Sequence, residues 1–434
     1  MWQPGNAVAQ SFSKVKLNPP DWSVSLQTLS SGGSAPTLNT EEFALVDALK
    51  TYFSANQYAQ AYQHLLKKWP KNPSAALLYI RAQTATQLKK YAAAKKDYEA
   101  SIQQHGPYLL AAQSLANVAF LQGDEKLAHR YLTQAIALGA DNDMVYGQLG
   151  YLNLRNHSAF SAVAAYQQAY TLAPEKKQWQ QGLLLALSRA GAYHQARAMV
   201  DELLQRDVNN RELWLHRANA ALGVKDELAA LTAMEAALRL GEKSTQNVRL
   251  ASQLNLSQGN VARAVDLVLA NPALLRQFPE VSRLLNWLSD RERWEQQQRL
   301  LARALKQQSH YSPDQRGELY TQYARLELHR GSAAKARQHL DRALNFNPAN
   351  GQALLLLADI LIEQDVLGRA DALLTRAQAL PECREAALLR RAQIAYQRRQ
   401  YRAAHDLLQD VLNDNPSRRD LIPNMEVLMR LARQ

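Results

Sequence analysis

The chain has 434 residues, with Lys+Arg 51 and Asp+Glu 39, and so carries a formal net charge of +12 at pH 7. Its hydrophobic content of 47% is too high for a disordered chain, and low counts of glycine (17) and proline (15) favour helices over a sheet-based fold. A single cysteine, Cys383, excludes an internal disulfide framework and a thiolate metal cage.

Residues 1–40 predict an extended leader or tether, because residues 10–40 are rich in Ser, Pro, Gly and Thr. Near its start, Ala7-Val8-Ala9 matches the small-residue pattern that precedes a signal-peptidase cut. The charged and apolar regions expected before such a site are missing. Two interpretations stay open, the remnant of an export signal and a chance match in an alanine-rich protein.

The main feature of the sequence is an internal repeat of 34 residues. Alanines recur at this spacing in two runs, which are Ala94, Ala128, Ala162, Ala196, Ala230 and Ala264, then Ala336, Ala370 and Ala404. A bulky apolar residue usually follows four positions later, as Tyr98 and Tyr166 do, and proline follows twelve positions later at Pro174, Pro348 and Pro416. The spacing predicts two antiparallel helices per repeat, with small residues at their crossing and proline ending the second helix.

This pattern resembles the tetratricopeptide repeat, shown best by Tyr146, Leu149, Gly150, Ala162, Tyr166, Ala169 and Pro174. The resemblance implies an all-α, right-handed α-solenoid of about ten helix-turn-helix units. Within it we expect an N-terminal array over 41–275, a divergent repeat with a long loop over 276–316, a C-terminal array over 317–416 and a capping helix over 417–434. The divergent repeat places Trp287 on its first helix and Trp294 at the start of its second.

The concave groove is the usual binding face of this family, and the resemblance assigns it to the first helix of each repeat. The predicted partner-binding residues are mostly carboxamides, aromatics and arginines: Tyr79, Gln83, Gln113, Asn117, Phe120, Tyr151, Arg155, Gln181, Arg189, Asn219, Arg249 and Gln253. Carboxamides both donate to and accept from a peptide backbone, so we expect an extended segment along the groove. A second hypothesis places the chain's own leader there, with Pro19-Pro20 and Trp22 in the groove or along the first repeat. The alternative to a binding role is that glutamine is common here only because it favours solvent-exposed helices.

The net positive charge supports an alternative function. The densest basic cluster is Arg384, Arg390, Arg391, Arg398, Arg399 and Arg402, interleaved with Glu385, Asp406 and Asp410. It is either a solvated helical face or a surface for an acidic partner or nucleic acid. The alternative protein is a cytoplasmic adaptor or regulatory subunit that binds through these C-terminal repeats.

The sequence contains no phosphate-binding loop, dinucleotide fingerprint, zinc-protease motif or nucleophile elbow. We therefore expect no catalytic residue, cofactor or metal, no small-molecule substrate, and no transmembrane segment. Short stretches at 211–222, 238–241 and 254–259 resemble bacterial envelope proteins of this repeat class. These observations favour a periplasmic scaffold for protein partners in secretion, polysaccharide export, pilus assembly or a TonB-type system, with a homodimer left open.

Overall fold

A computed structural model describes residues 17–23 and 35–433. The described residues form α-helices and short 3-10 turns without a strand, so the predicted all-α helical repeat fold is confirmed. None of the helices within these residues combines the length and apolarity needed to cross a membrane. The export-signal pattern at Ala7–Ala9 lies outside the described residues.

The chain divides into two compact units, Met1–Leu240 and Gly241–Gln434. The first unit contains twelve described helices, which pack in sequence as antiparallel neighbours: α1 (Phe43–Ser54), α2 (Tyr58–Lys67), α3 (Ala75–Gln87), α4 (Tyr91–His105), α5 (Leu109–Leu121), α6 (Glu125–Ala137), α7 (Asp143–Arg155), α8 (Ala159–Leu172), α9 (Lys177–Arg189), α10 (Tyr193–Arg206), α11 (Arg211–Gly223) and α12 (Glu227–Arg239).

The second unit continues the alternation with α13 (Thr245–Ser257), α14 (Val261–Leu269), α15 (Pro272–Leu275), α16 (Phe278–Asp290), α17 (Trp294–Leu305), α18 (Pro313–His329), α19 (Ala333–Phe346), α20 (Gly351–Glu363), α21 (Leu367–Gln378), α22 (Arg384–Gln397), α23 (Tyr401–Asp414) and α24 (Ile422–Leu431). The short helix α15 precedes the predicted divergent repeat. Trp287 lies on α16 and Trp294 begins α17, as the sequence predicts.

The repeat alanines are buried within the helix pairs. All nine are at most 2% exposed, and each lies on the second helix of a pair. Pro174, Pro348 and Pro416 each follow a second helix by two residues, after Leu172, Phe346 and Asp414. The predicted role of both residue types is confirmed, since alanine lets the backbones approach and proline lies just past the helix end.

The tight turn inside each repeat requires a left-handed residue, a feature that the sequence analysis did not identify. Backbone φ is positive at matching positions one repeat apart, which are Lys89, Gly123, His157, Gly191, Lys225 and Gly259, then Gly331, Asp365 and Arg399. Glycine adopts this conformation freely, whereas a side chain there is strained. The chain uses glycine at only some of these turns, so the pattern is visible in the backbone but not in the residue types.

Two glycines in the first unit make room for one tyrosine. A Cβ atom on Gly150 would lie 2.7 Å from Cδ2 of Tyr166, and one on Gly182 would lie 2.4 Å from its Cε1. The Tyr166 ring therefore fills the space between α7 and α9 and fixes their separation.

Candidate peptide-binding groove of the first unit

Two carboxamides on the first helices of adjacent repeats hold the main chain of the leader. Nε2 of Gln148, on α7, donates to the backbone oxygen of Asp21 at 2.6 Å and to Oδ1 of Asn117 at 3.2 Å. Nδ2 of Asn117, on α5, donates to the backbone oxygen of Ser23 at 3.4 Å. The linked amides thus bind two alternate carbonyl groups of a segment without regular secondary structure.

An aromatic surface receives the side chain between these two carbonyl groups. The indole of Trp22 stacks on Phe120 of α5, with ring centroids 3.9 Å apart and planes inclined by 11°. The ring of Tyr151, on α7, meets the Phe120 ring edge-on, with 6.1 Å between the two centroids. Trp22 is only 5% exposed, so this contact buries a large apolar surface. We call the surface formed by Asn117, Phe120, Gln148 and Tyr151 the α5–α7 groove.

The segment Leu17–Ser23 extends beyond these contacts. Pro20 is buried, and half-buried Leu17 packs against the apolar cluster that contains Leu154 and Tyr166. Trp22 belongs instead to the cluster that runs from α2 to α7. The segment therefore spans more than one repeat, with its earlier residue beside the later helices.

Asp21 shapes the segment at the point where Trp22 enters the groove. Its carboxylate accepts hydrogen bonds from the backbone N–H and the hydroxyl of Ser23, both at 2.8 Å. The same two bonds hold the pKa of the Asp21 carboxyl below its usual value. This local turn leaves the Asp21 carboxylate exposed while its carbonyl group faces Gln148.

Four of the predicted groove residues come together at this surface. Asn117, Phe120 and Tyr151 form it, and exposed Arg155 lies at its edge, 6.0 Å from the Tyr151 ring and paired with Glu125 at 2.9 Å. Gln113 is half-buried on the same helix as Asn117.

The other predicted residues have different surroundings. Tyr79 and Gln83 are buried on α3, where Nε2 of Gln83 donates to the Tyr79 hydroxyl at 3.0 Å, so this pair lies beneath the surface. In the rest of the first unit, Gln181 donates to Glu212 at 3.0 Å, and Arg189 donates to the backbone oxygen of Leu154 at 3.2 Å. Asn219 is buried on α11. Arg249 and Gln253 lie on α13 in the second unit, where Arg249 donates to Gln277 at 2.7 Å.

Gln148 is the contact residue that the sequence analysis missed. The prediction followed one repeat position, at which Asn117 is succeeded by Tyr151, 34 residues later. Gln148 precedes Tyr151 by three residues, so it lies on nearly the same face one helical turn earlier. The hydrogen bond between Gln148 and Asn117 depends on how closely α5 and α7 approach, which the residue spacing does not show.

A cavity of about 710 Å³ opens near α9, α10 and α11 of the first unit. Its lining includes the predicted groove residue Gln181 together with Glu212, Arg206 and His216. Burial lowers the pKa of His216 to about 4, and nearby Glu212 opposes that shift. The imidazole is therefore neutral at pH 7, and the cavity presents both donors and acceptors.

Three of the six arginines in the basic C-terminal cluster pair with acidic residues. Arg390 binds both carboxylate oxygens of Asp359, at 2.6 and 3.0 Å. Arg391 pairs with Asp371 at 2.8 Å, and Arg384 pairs with Asp414 at 2.6 Å. These pairs support the interpretation of the cluster as a solvated helical face.

Residues 317–360, which cover α19 and parts of α18 and α20, match the family model described as tetratricopeptide repeat. This part of the chain contains a tetratricopeptide repeat. The tetratricopeptide fold supports a scaffold for protein–protein interaction, and proteins built from it are generally non-catalytic. None of the curated proteins matches the chain significantly.

Several solved structures are similar to this chain. Naa15/Naa10 bound to HypK-THB is 13% identical, with 85% of this chain and 68% of that chain covered and a TM-score of 0.43. YrrB, a TPR protein with an unusual peptide-binding site, is 14% identical over 43% of this chain and 96% of its own, with a TM-score of 0.39. A tetratricopeptide repeat protein from Parabacteroides merdae is 15% identical, with 53% and 91% covered and a TM-score of 0.35.

Proposed function

We propose that this protein is a non-catalytic scaffold whose α5–α7 groove binds an extended peptide of a partner protein. One observation carries the proposal, the seating of Leu17–Ser23 on this surface through two backbone carbonyl groups and one aromatic side chain. Contacts to the main chain accept many sequences, while the aromatic surface selects one side chain. The groove therefore offers both general affinity and a single point of specificity.

The chemistry of the groove defines the ligand. Gln148 and Asn117 supply amide donors, so the ligand contributes main-chain acceptors in an extended conformation. Phe120 supplies a flat apolar face, with Tyr151 edge-on beside it, so the ligand contributes an aromatic ring between those acceptors. The choice among secretion, export, pilus and TonB-type systems, and the periplasmic location, stay predictions from the sequence.

The experiment pans the full-length Trp22→Ala chain against a library of random peptides, so that the chain's own indole does not compete. Affinities of enriched peptides are then measured for this chain and for a version that also carries Asn117→Ala and Gln148→Ala. We expect enrichment of peptides with an aromatic residue and at least tenfold weaker binding to the version lacking both amides.

A matched control removes another carboxamide from the same helix end. Gln122 is exposed directly after α5 and should contribute nothing to the groove. Adding Gln122→Ala to the Trp22→Ala chain should leave the affinities unchanged. An absence of enriched peptides, or equal binding with and without Asn117 and Gln148, would contradict the proposal.

The alternative adaptor, which binds nucleic acid or an acidic partner through its basic repeats, makes a different prediction. Phosphate contacts weaken steeply as salt rises, because binding releases condensed counterions. Peptide binding through Trp22-like stacking and neutral amides should change little between about 50 and 200 mM salt. A steep salt dependence of partner binding would favour the alternative.

A further inference from the structure

The segment that fills the α5–α7 groove belongs to the same chain as the groove. Ser23 is separated from Ala35 by residues 24–34 and is thereby tethered to the helices that begin near Phe43. This covalent connection gives the tethered segment an effective concentration on the order of millimolar at its site. A partner peptide must compete against that concentration whenever the segment can occupy the groove.

The segment fits the groove incompletely. Nε1 of Trp22 is buried and has no hydrogen-bond partner among the described residues. The hydrogen bond from Asn117 to Ser23 is 3.4 Å long, near the upper limit for such a bond. An unpaired buried donor reduces the net stabilisation of the bound segment. The contacts therefore hold the segment in place while leaving it displaceable.

The burial of each residue in the segment shows which of its side chains are covered. Asn18, Pro19, Asp21 and Ser23 are exposed, whereas Pro20 and Trp22 are buried. The two buried side chains have one residue between them, and the intervening carbonyl group of Asp21 binds Gln148. The covered side chains of this extended segment are thus a proline and, two positions later, an aromatic residue.

We propose that residues 17–23 are an internal competitor for the groove, and that the partner which displaces them is an extended peptide carrying proline two positions before an aromatic residue. This inference rests on the proposed function, since it names the ligand chemistry and regulation of the same site. Binding of the partner exchanges its ring for Trp22 on Phe120 and releases the leader from the first unit.

The expected strength of the competition follows from the tether. If the free segment binds with a dissociation constant of roughly 10–100 μM, a millimolar effective concentration leaves the groove open about 1–10% of the time. The apparent affinity of a partner falls by that open fraction, roughly 10- to 100-fold. Loss of the Trp22 indole should restore most of the partner's affinity.

The probe is a fluorescein-labelled synthetic peptide with the sequence of Leu17–Ser23, and its binding is followed by fluorescence anisotropy. The titrations use the full-length wild-type chain, Trp22→Ala and, as a control within the same segment, Asn18→Ala. Asn18 is exposed, so its loss should leave competition intact. Circular dichroism melts establish that the three chains are equally folded.

We expect the peptide to bind the Trp22→Ala chain at least tenfold more tightly than the wild type or Asn18→Ala. A peptide with alanine in place of its tryptophan should bind none of them. Equal affinity for the wild type and Trp22→Ala would overturn internal competition while leaving a peptide-binding groove. Failure of the peptide to bind the Trp22→Ala chain would overturn the proposal that residues 17–23 compete for the groove. If the panning experiment still enriched other peptides, the groove itself would stand as a peptide-binding site.

Discussion

The indole of Trp22 lies flat against the ring of Phe120, with a centroid separation of 3.9 Å between residues 98 positions apart in the sequence. This contact joins the leader to the first helix of an internal repeat. The side chain that binds is aromatic, and carboxamides hold the main chain on either side of it.

Spacing between α7 and α9 depends on the absence of a side chain at Gly182. Gly182→Ala would place Cβ 2.4 Å from the Tyr166 ring, so we expect a loss of about 1–3 kcal/mol in the free energy of unfolding. Chemical denaturation of the full chain measures it.

Gly368→Ala is the matched control, because its Cβ would meet only Nη2 of Arg398, at 3.8 Å, within helix α21. We expect no loss there, and a gain of up to about 1 kcal/mol from helix propensity. A Gly182→Ala chain as stable as the wild type would show that Tyr166 does not set the spacing.

The left-handed turns predict opposite effects for two substitutions. Gly191 has φ of +72° with open space around it, so Gly191→Ala should destabilise the chain by about 1–2 kcal/mol through backbone strain alone. Lys225 has φ of 62° at the equivalent position of the next repeat, so Lys225→Gly should be neutral or stabilising. Thermal melts of both variants measure the difference, and equal destabilisation would argue against a strained turn.

Acid should weaken the helix that carries Gln148. Asp143, the first residue of α7, accepts hydrogen bonds at 2.6 Å from both Lys176 and Trp179. Burial raises the pKa of the Asp143 carboxyl, but these donors outweigh it and the net shift is downward. A lowered folded-state pKa stabilises the fold above the ordinary value of 3.8, and this contribution is lost as pH falls through the folded pKa.

The variant Asp143→Asn should therefore be less stable than the wild type at pH 7, with the difference shrinking toward pH 3. Urea denaturation across this pH range follows the difference. A constant difference at every pH would mean that the charge of Asp143 contributes nothing to stability.

Cys383 should be inert in the folded protein. It is 1% exposed at the start of α22, and burial raises the pKa of its thiol. Since the thiolate is the reactive form, we expect alkylation by iodoacetamide at pH 8 to be at least tenfold slower than in the unfolded chain. Mass spectrometry of time points measures the rate. Alkylation as fast as in urea would place the thiol at the surface.

The sequence predicts the repeat well because helix pairing is local. Alanine and proline spacing fixes where helices cross and end, and these positions are confirmed at residues such as Ala162 and Pro174. The left-handed residues at Lys89 and Lys225 escaped prediction, because lysine has no preference for that conformation and the turn imposes it.

The candidate site was predictable only in part. Asn117, Phe120 and Tyr151 follow from the repeat register, since the first helices of neighbouring repeats lie side by side. The sequence offers the seating of Trp22 only as a second hypothesis and does not point to Gln148, because these contacts cross 98 and 31 positions. Burial of Tyr79 likewise depends on packing against the next repeat, where its ring lies 5.9 Å from that of Tyr108.

The most direct test of the groove replaces Phe120 with p-benzoylphenylalanine in the full chain and maps photo-cross-links by mass spectrometry. The account of an occupied α5–α7 groove predicts cross-links to the tryptic peptide 17–50, centred on Trp22, and their loss when a competing proline–aromatic peptide is added. The same probe at Phe160, which is 76% exposed on α8, serves as the control and should not label that peptide. Absence of cross-links from position 120 to residues 17–23, or equal labelling from position 160, would contradict it.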